Sequence, residues 1–354
     1  MKTDTLSLLN KLTETTAISG NEKNVSQLLK QELVSITDDI VYDNLGSIFG
    51  IKKSQTENAP VVMVSGYIDE SGFVVKELLT NGTIKCLAIG IHKKDSLLGS
   101  KIQVITANNK TIPGVIVPTN SAGEILNDKN EVVIQCGFLT KEEIITAGID
   151  YGDPVTYATD SFLSANNTHY FGKAIGRSYG ALQVIHLLTE LKDIELPFDL
   201  YAGGTVLNQV GNRGAQTATN LVQPDLAITF DTLEANTDIT KNEKQGILGD
   251  GLLLTYYDRS ILPNRKLTTD FKNSCIEKNI SFQNYYSLTS SDAGWIHKLR
   301  VGSPTLMLNI PASNLNASTS IINLADLENA LQASLHFISN LSNEDILSFK
   351  QENR

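Results

Sequence analysis

Residues Val61–Val75 read "VVMVSGYIDESGFVV", and the fold turns on how that run divides. Its first half is continuously apolar with β-branched residues, the pattern of a strand buried on both faces. A small Ser-Gly step follows, then Tyr67, Ile68, Asp69 and Glu70, before apolar text resumes at Gly72. A strand that ends in two carboxylates is placed to deliver acids or ligands to a site. A metal enzyme would set a histidine two residues before Asp69, where this chain has Tyr67.

Outward from that strand, similar apolar runs recur at 199–208 ("DLYAGGTVLN"), 225–231 ("DLAITFD") and 303–310 ("SPTLMLNI"). Between them lie helical patterns. Residues 22–35 put Val25, Leu28, Leu29 and Leu33 on one face, after a Ser19–Glu22 turn expected to cap the helix. "YGALQVIHLLTELK" keeps Leu182, Ile185, Leu188 and Leu191 in step, and "LADLENALQASLHFISNL" forms the last helix. The tail "SNEDILSFKQENR" is polar and expected to fray. Buried strands alternating with amphipathic helices predict an α/β sandwich around a mainly parallel or mixed sheet.

The middle of the chain reads differently. From Gly72 to about residue 166, short alternating runs are broken by turns, with hairpin signals at Asn81-Gly82 and Asn108-Asn109. The expected organisation is an α/β domain made of 1–71 and 167–354, carrying a β-rich domain, 72–166, inserted into it.

Composition limits the function. The chain has 354 residues, 41% of them hydrophobic, and a formal net charge of −10. Nucleic acid is not an expected partner, because phosphate binding needs clustered Lys and Arg. No window approaches the ~18 apolar residues of a membrane span, and the N-terminus lacks the core of a signal peptide. Cys86, Cys136 and Cys275 form no Cys-x-x-Cys pair. A cytoplasmic protein with reduced packing cysteines is expected, although a disulfide between two of them stays open.

Eight short segments, in order, resemble one family: "ISGNE", "GYIDESGF", "GIDYGDPV", "GKAIGRSYG", "GTVLNQVGNRGA", "AITFDT", "SSDAG" and "LNIPASNLNAS". The family is that of the glutamyl and deblocking aminopeptidases, cocatalytic metallopeptidases that often assemble as tetrahedral dodecamers, some of whose members were labelled endoglucanases. The resemblance runs over essentially the whole chain. It implies a zinc-peptidase-type α/β domain with an inserted β-barrel-like dimerisation domain, and a pair of Zn²⁺ or Co²⁺ ions held by carboxylates and imidazoles around one bridging carboxylate.

Carried over position by position, most of that ligand set is replaced. The first histidine falls on Tyr67, with Asp69 and Glu70 kept beside it. The bridging aspartate falls on Gly176. The Glu-Glu pair, general base and then ligand, falls on Asn208 and Gln209. The strand-ending aspartate is present as Asp231, and the last histidine falls on Asn316. Only Asp231 of the five implied ligands remains, so no metal cofactor is expected, the alternative being Zn or Co in a rearranged site. Glycine cannot bridge, neutral amides are poor Zn²⁺ ligands, and a tyrosine ligates only as its anion, from a pKa of ~10.

Other residues do not obviously rebuild a site. His92, His169, His186, His297 and His336 make no metal-binding spacing. His186, His336 and His297 read as packing residues, while His169, just before "GKAIG", could face the pocket. Arg177 follows Gly176 and either pairs with Asp69 or Asp231 in place of the metals' charge, or points to solvent. Tyr67 reads first as a ring filling the vacated volume. Neither a Gly-x-Ser-x-Gly elbow nor a Gly-x-x-x-x-Gly-Lys loop occurs.

The leading expectation is a family member without metal-dependent hydrolysis. It would bind a peptide or amino acid in the old cleft, or act as a homo-oligomeric partner, mixed in assembly with an active paralogue. An active metalloaminopeptidase is the alternative. A third reading, acid–base chemistry on Asp69 and Glu70, is opposed by the opposite directions of adjacent strand residues.

Overall fold

The computed structural model describes residues 3–120, 123–235 and 246–352. The chain opens with helices α1 (Thr3–Glu14) and α2 (Lys23–Leu33), then strands β1 (Asp39–Tyr42), β2 (Ile48–Lys52) and β3 (Val61–Tyr67). The apolar run that opened the sequence is β3, and its two faces serve two cores. Val62 and Val64 join a large cluster with α1, α2 and several later helices, while Met63 turns to a smaller one on the other side.

Strands β4 (Gly72–Leu78), β5 (Thr83–Ile89), β6 (Lys101–Ile105), β7 (Thr111–Val117), β8 (Glu131–Gln135) and β9 (Pro154–Tyr157) follow, with helix α3 (Lys141–Ala147) before the last. They close into a barrel in the order β4-β5-β8-β7-β6-β9. Both hairpins fall where expected, since β4 pairs antiparallel with β5 and β6 with β7. Gly82 and Asn109 take the positive φ that these tight turns require. The barrel has its own core, including Phe73, Ile84, Ile102, Ile134 and Tyr157.

The chain then returns to the first sheet. The remaining elements are β10 (Phe162–Leu163), β11 (His169–Gly172), α4 (Ile175–Leu191), β12 (Asp199–Thr205), α5 (Arg213–Val222), β13 (Leu226–Glu234), β14 (Leu252–Asp258), α6 (Arg265–Glu277), β15 (Phe282–Ser287), α7 (Ala293–Ile296), β16 (Thr305–Ser313), β17 (Ser320–Asn323), α8 (Leu324–Ser339) and α9 (Asn343–Gln351). The sheet runs β1-β2-β12-β3-β13-β16-β17-β11-β10, with β14 and β15 branching from β16. Strands β12, β3, β13 and β16 are parallel neighbours, and β2 and β17 run antiparallel, so the sheet is mixed. Helices cover both faces. α4 lies almost wholly buried on one, and α5 and α7 cover the other through Ala215, Ala218, Val222 and Ile296. The expected α/β sandwich with an inserted β-barrel is therefore the observed architecture.

α4 packs unusually close to β3. A Cβ added at Gly66 would lie 2.5 Å from Gly180 Cα, so backbone meets backbone at that crossing. This seats the N-terminus of α4 beside the carboxyl end of β3.

Two local expectations are corrected. Helix α2 has no side-chain cap: Glu22 Oε1 instead accepts from the amides of Gly20 and Leu207, 2.9 and 3.1 Å away. The polar tail does not fray across its described part. Ser342 and Asp345 form a reciprocal capping box, and Ile346 and Phe349 bury against the core, giving α9. The tail's polarity belongs to its solvent face. All three cysteines are free thiols.

Candidate functional site

Parallel strands that end together bring their carboxyl ends to one place, where α/β proteins build sites. Here β3 ends at Tyr67, β12 leads into Val206–Gln209, and β13 carries Asp231. The N-terminus of α4 and the 314–317 segment close the ring. Tyr67, Asp69, Glu70, Gly176, Arg177, Asn208, Gln209, Asp231 and Asn316 all line this one pocket, whose volume is about 230 Å³. A larger hollow of about 780 Å³ lies between α1, α4 and α8, but no strand-end residue reaches it. None of the five histidines lines the strand-end pocket.

Tyr67 and Gly176 interlock. A Cβ added at Gly176 would fall inside 3 Å of the Tyr67 hydroxyl oxygen, with Thr232 Oγ1 at 2.9 Å and Tyr67 Cζ at 3.0 Å. The phenol thus occupies the space where a side chain at 176 would begin. Burial, with the charges of Asp231 and Asp69, holds the Tyr67 pKa well above its ordinary value, so the hydroxyl stays a neutral donor. Its hydrogen bond goes to Asp231, whose Oδ1 also takes the Thr232 amide at 2.6 Å. Burial raises the Asp231 carboxyl to about 7, and the Asp292 charge adds to the shift.

Asp69 and Glu70 point to different partners. Asp69 is fully buried and accepts from the amides of Asn208 and Gln209, each at 2.9 Å, and from the Ser19 hydroxyl. Burial outweighs these bonds and raises its carboxyl to about 7. Glu70 receives both Lys173 Nζ bonds at 2.8 Å and the Ala17 amide at 2.8 Å. Burial alone would push Glu70 up, yet Lys173 and Arg177 overcome it and hold the carboxyl below its usual range. Both acids are fastened into the scaffold, which leaves no carboxylate pair free for acid–base work.

Arg177 is the main correction. Its guanidinium binds neither Asp69 nor Asp231. Nη2 donates to the Thr15 carbonyl and reaches Glu70 Oε1 at 3.4 Å. The Asp69 oxygens are already engaged by three donors, so Glu70 is the acceptor within reach. The side chain is not solvent-exposed either; it is 1% exposed, and its Nε and Nη1 have no hydrogen-bond partner among the described residues. His169 likewise lies away from the pocket, on β11, where its ring meets Thr168 Oγ1 at 2.8 Å. His336 lies on α8, with Nε2 3.9 Å from Glu277.

Sequence reasoning missed Asp292, the hub beneath Asn208. Asp292 accepts from Asn208 Nδ2 (2.8 Å), Asn212 Nδ2 (2.7 Å) and Thr205 Oγ1 (2.6 Å). Gln209 Nε2 in turn donates to Asn208 Oδ1 at 3.1 Å. The amide at 208 is therefore used as both donor and acceptor, and burial keeps the Asp292 pKa raised. Lys173 was missed as a site residue too; an acid kept inside an apolar scaffold word was the signal that a buried cation would be close. Around the pocket, Ala174, Leu207, Asn212 and Asn316 all adopt left-handed φ values, between 50° and 64°. Such conformations cost of order 1–3 kcal/mol each and persist where the surroundings over-determine them.

Among the described residues no group of three or more His, Cys, Asp or Glu side chains could hold a metal ion. No helix among them is long and apolar enough to cross a membrane.

The layered sheet, the closed barrel and the strand-end pocket define an α/β peptidase-type fold. The family profile of M42 glutamyl aminopeptidase matches residues 46–332, and the chain belongs to that family. A glutamyl aminopeptidase of Lactococcus lactis is 30% identical over 96% of this chain and 97% of its own length. The putative aminopeptidase FrvX of Escherichia coli is 29% identical over 98% of each chain. Among solved structures, a TET aminopeptidase from a marine-sediment thaumarchaeon superposes with a TM-score of 0.92 at 28% identity, covering 98% of this chain and 99% of that one. The Pyrococcus horikoshii TET1 peptidase, which can assemble into a tetrahedron or a large octahedral shell, shares the fold with a TM-score of 0.81 at 22% identity, over 95% of this chain and 100% of its own.

Proposed function

We propose that this chain is an aminopeptidase-family protein that has lost its dinuclear metal site, uses the strand-end pocket to bind a peptide or amino acid, and uses the inserted barrel, 72–166, to form homo-oligomers. The observation that carries the reading is the Tyr67–Gly176 interlock. The phenol fills the space a bridging carboxylate at 176 would need, and the same residue stands where the first imidazole would. The other donors fit no better. Asn208 is tied to Asp292, Asn316 and Gln209 offer neutral amides, and Asp231 is bonded to Tyr67. The residues present do not fit a pair of Zn²⁺ or Co²⁺ ions. The assemblies formed by the P. horikoshii relative support an oligomer, and co-assembly with an active paralogue follows the same logic of shared surfaces.

The test is metal analysis of protein purified without chelators, with assays on aminoacyl and peptidyl chromogenic substrates in added Co²⁺ or Zn²⁺. Substoichiometric metal and no turnover are expected. Two ions per chain, with turnover abolished by chelator, would overturn the reading.

A further inference from the structure

A short segment of the barrel crosses the pocket mouth. Residues 90–93 run from the end of β5 to a 3-10 turn at Lys94–Ser96. Ile91 lines the pocket and is 63% exposed. Gly90 lies against the pocket wall: a Cβ there would fall 2.8 Å from both Gln209 Oε1 and Ser71 Cβ. The Lys93 amide donates to the Asn316 carbonyl, and Lys93 Nζ to Glu234, each at 2.9 Å. Gln209, Glu234 and Asn316 belong to the α/β domain and line the same pocket. The segment is therefore a strap laid from the barrel across the opening. Leu97, buried in the barrel core, ends its free span.

His92 turns the other way and ties the strap down. Its ring stacks on Phe73 with centroids 4.5 Å apart. Nδ1 lies 2.7 Å from the Tyr157 hydroxyl, and Nε2 lies 3.1 and 3.0 Å from the Gly72 and Ile89 carbonyls. Carbonyls only accept, so Nε2 carries the hydrogen and Nδ1 accepts from Tyr157. Gly72 opens β4, Ile89 ends β5 and Tyr157 ends β9. One neutral imidazole thus joins the strap to three barrel strands. On the far side, the Lys93–Glu234 pair is 42% and 44% exposed and holds the strap only weakly.

This fastening suits the neutral ring alone. A proton on Nδ1 makes it a second donor, aimed at a hydroxyl that is already donating to it. No charge among the ring's contacts compensates. β4 presents Phe73 and the Gly72 carbonyl, β5 the Ile89 carbonyl, and β9 Tyr157. Behind Tyr157 acts the charge of Glu70, which Lys173 and Arg177 already meet. On the strap itself, Lys93 is paired with Glu234. Burial pushes the His92 pKa below its ordinary value, although the two carbonyls oppose the shift. An imidazole depressed in this way contributes stability that is full above about pH 6.5 and lost as pH falls through its folded value.

We propose that His92 is a proton-released latch: neutral, it fastens the 90–93 strap over the pocket mouth, and protonated, it lets the strap lift about Gly90. The latch governs access to the pocket whose binding role is proposed above. Its test needs no ligand, so either reading can fail while the other stands.

Hydrogen exchange of the full chain at about pH 7.5 and about pH 4.5, corrected for intrinsic rates, tests this. The amides of Lys93, Ser96 and Leu97 are hydrogen-bonded in the closed strap. They are expected to lose about tenfold or more of their protection in acid, while β3 and β5 keep theirs. His92→Gln is expected to abolish the acid step, whatever its own level of protection. Tyr157→Phe removes the donor that favours the neutral ring, so the step should move to higher pH; this variant carries the test if His92→Gln does not fold. Glu234→Gln should leave the step in place. Equal protection at both pH values would overturn the proposal, as would a step that survives in folded His92→Gln or is unmoved in Tyr157→Phe. So would a step abolished by Glu234→Gln, or one shared with β3 and β5.

Discussion

At the scale of single residues, Tyr67 and Gly176 should behave as one unit. Gly176→Ala drives a methyl group toward the Tyr67 hydroxyl and Thr232 Oγ1, and overpacking of this kind costs about 1–3 kcal/mol. In a Tyr67→Phe background the nearest atom is gone, so the cost should fall, with a coupling of at least about 0.5 kcal/mol in a double-mutant cycle followed by urea unfolding. Strictly additive costs would mean that the positions do not touch. The pocket-lining positions were legible in the sequence because the words around them, such as "GKAIG" and "IPASN", resemble the family's. The interlock itself was not. Nothing in sequence spacing shows that a phenol leaving the end of β3 reaches the first turn of α4, about a hundred residues later. Arg177 was misread for the same reason: its partner depends on which neighbouring carboxylate is already filled.

At the scale of elements, the segment joining β12 to α5 is held from three sides. Glu22 takes the Leu207 amide, Asp69 takes those of Asn208 and Gln209, and Asp292 takes the side chains of Asn208 and Asn212. This accounts for a leucine kept at positive φ with no glycine to ease it. Asp292→Ala leaves buried donors without an acceptor, at about 1–3 kcal/mol. Hydrogen exchange should then quicken across 206–212 while β3 stays protected; unchanged protection there would show that the other two anchors suffice. The strands and helices that frame this segment were readable from period and composition. The anchors were not, because Asp292 lies in a short polar stretch with no periodicity to mark an acid as buried.

At the scale of the whole molecule, the buried acids set opposing pH responses. Asp326 is fully buried and accepts the amides of Gly249 and Gly251 at 2.8 and 2.7 Å. Burial raises its carboxyl to about 6. The folded state thus holds that proton more tightly than the unfolded chain, and the stability gained is full below about pH 4 and lost as pH rises to about 6. Glu70 has the opposite sign: its carboxyl is depressed, so its contribution is lost only as pH falls below the ordinary carboxylate range. Asp326→Asn should flatten the stability profile between pH 4 and 6 in urea titrations, and a slope equal to that of the parent would exclude Asp326 as its source. The two-part architecture was legible because the hydrophobic pattern changes character at Gly72. The closing of the inserted strands into a barrel was less so, since closure rests on the β4–β9 and β6–β9 pairings, which are distant in sequence.

The fit between Tyr67 and Gly176 also makes the two positions a steric lock. Any side chain added at 176 runs into the phenol oxygen and Thr232 Oγ1, so a larger residue there is compatible only with a smaller one at 67. On the reading proposed above, an aspartate placed at 176 alone meets a filled space, and a histidine placed at 67 alone meets no bridging acid. Engineering a dinuclear centre into this pocket therefore requires both exchanges in one step.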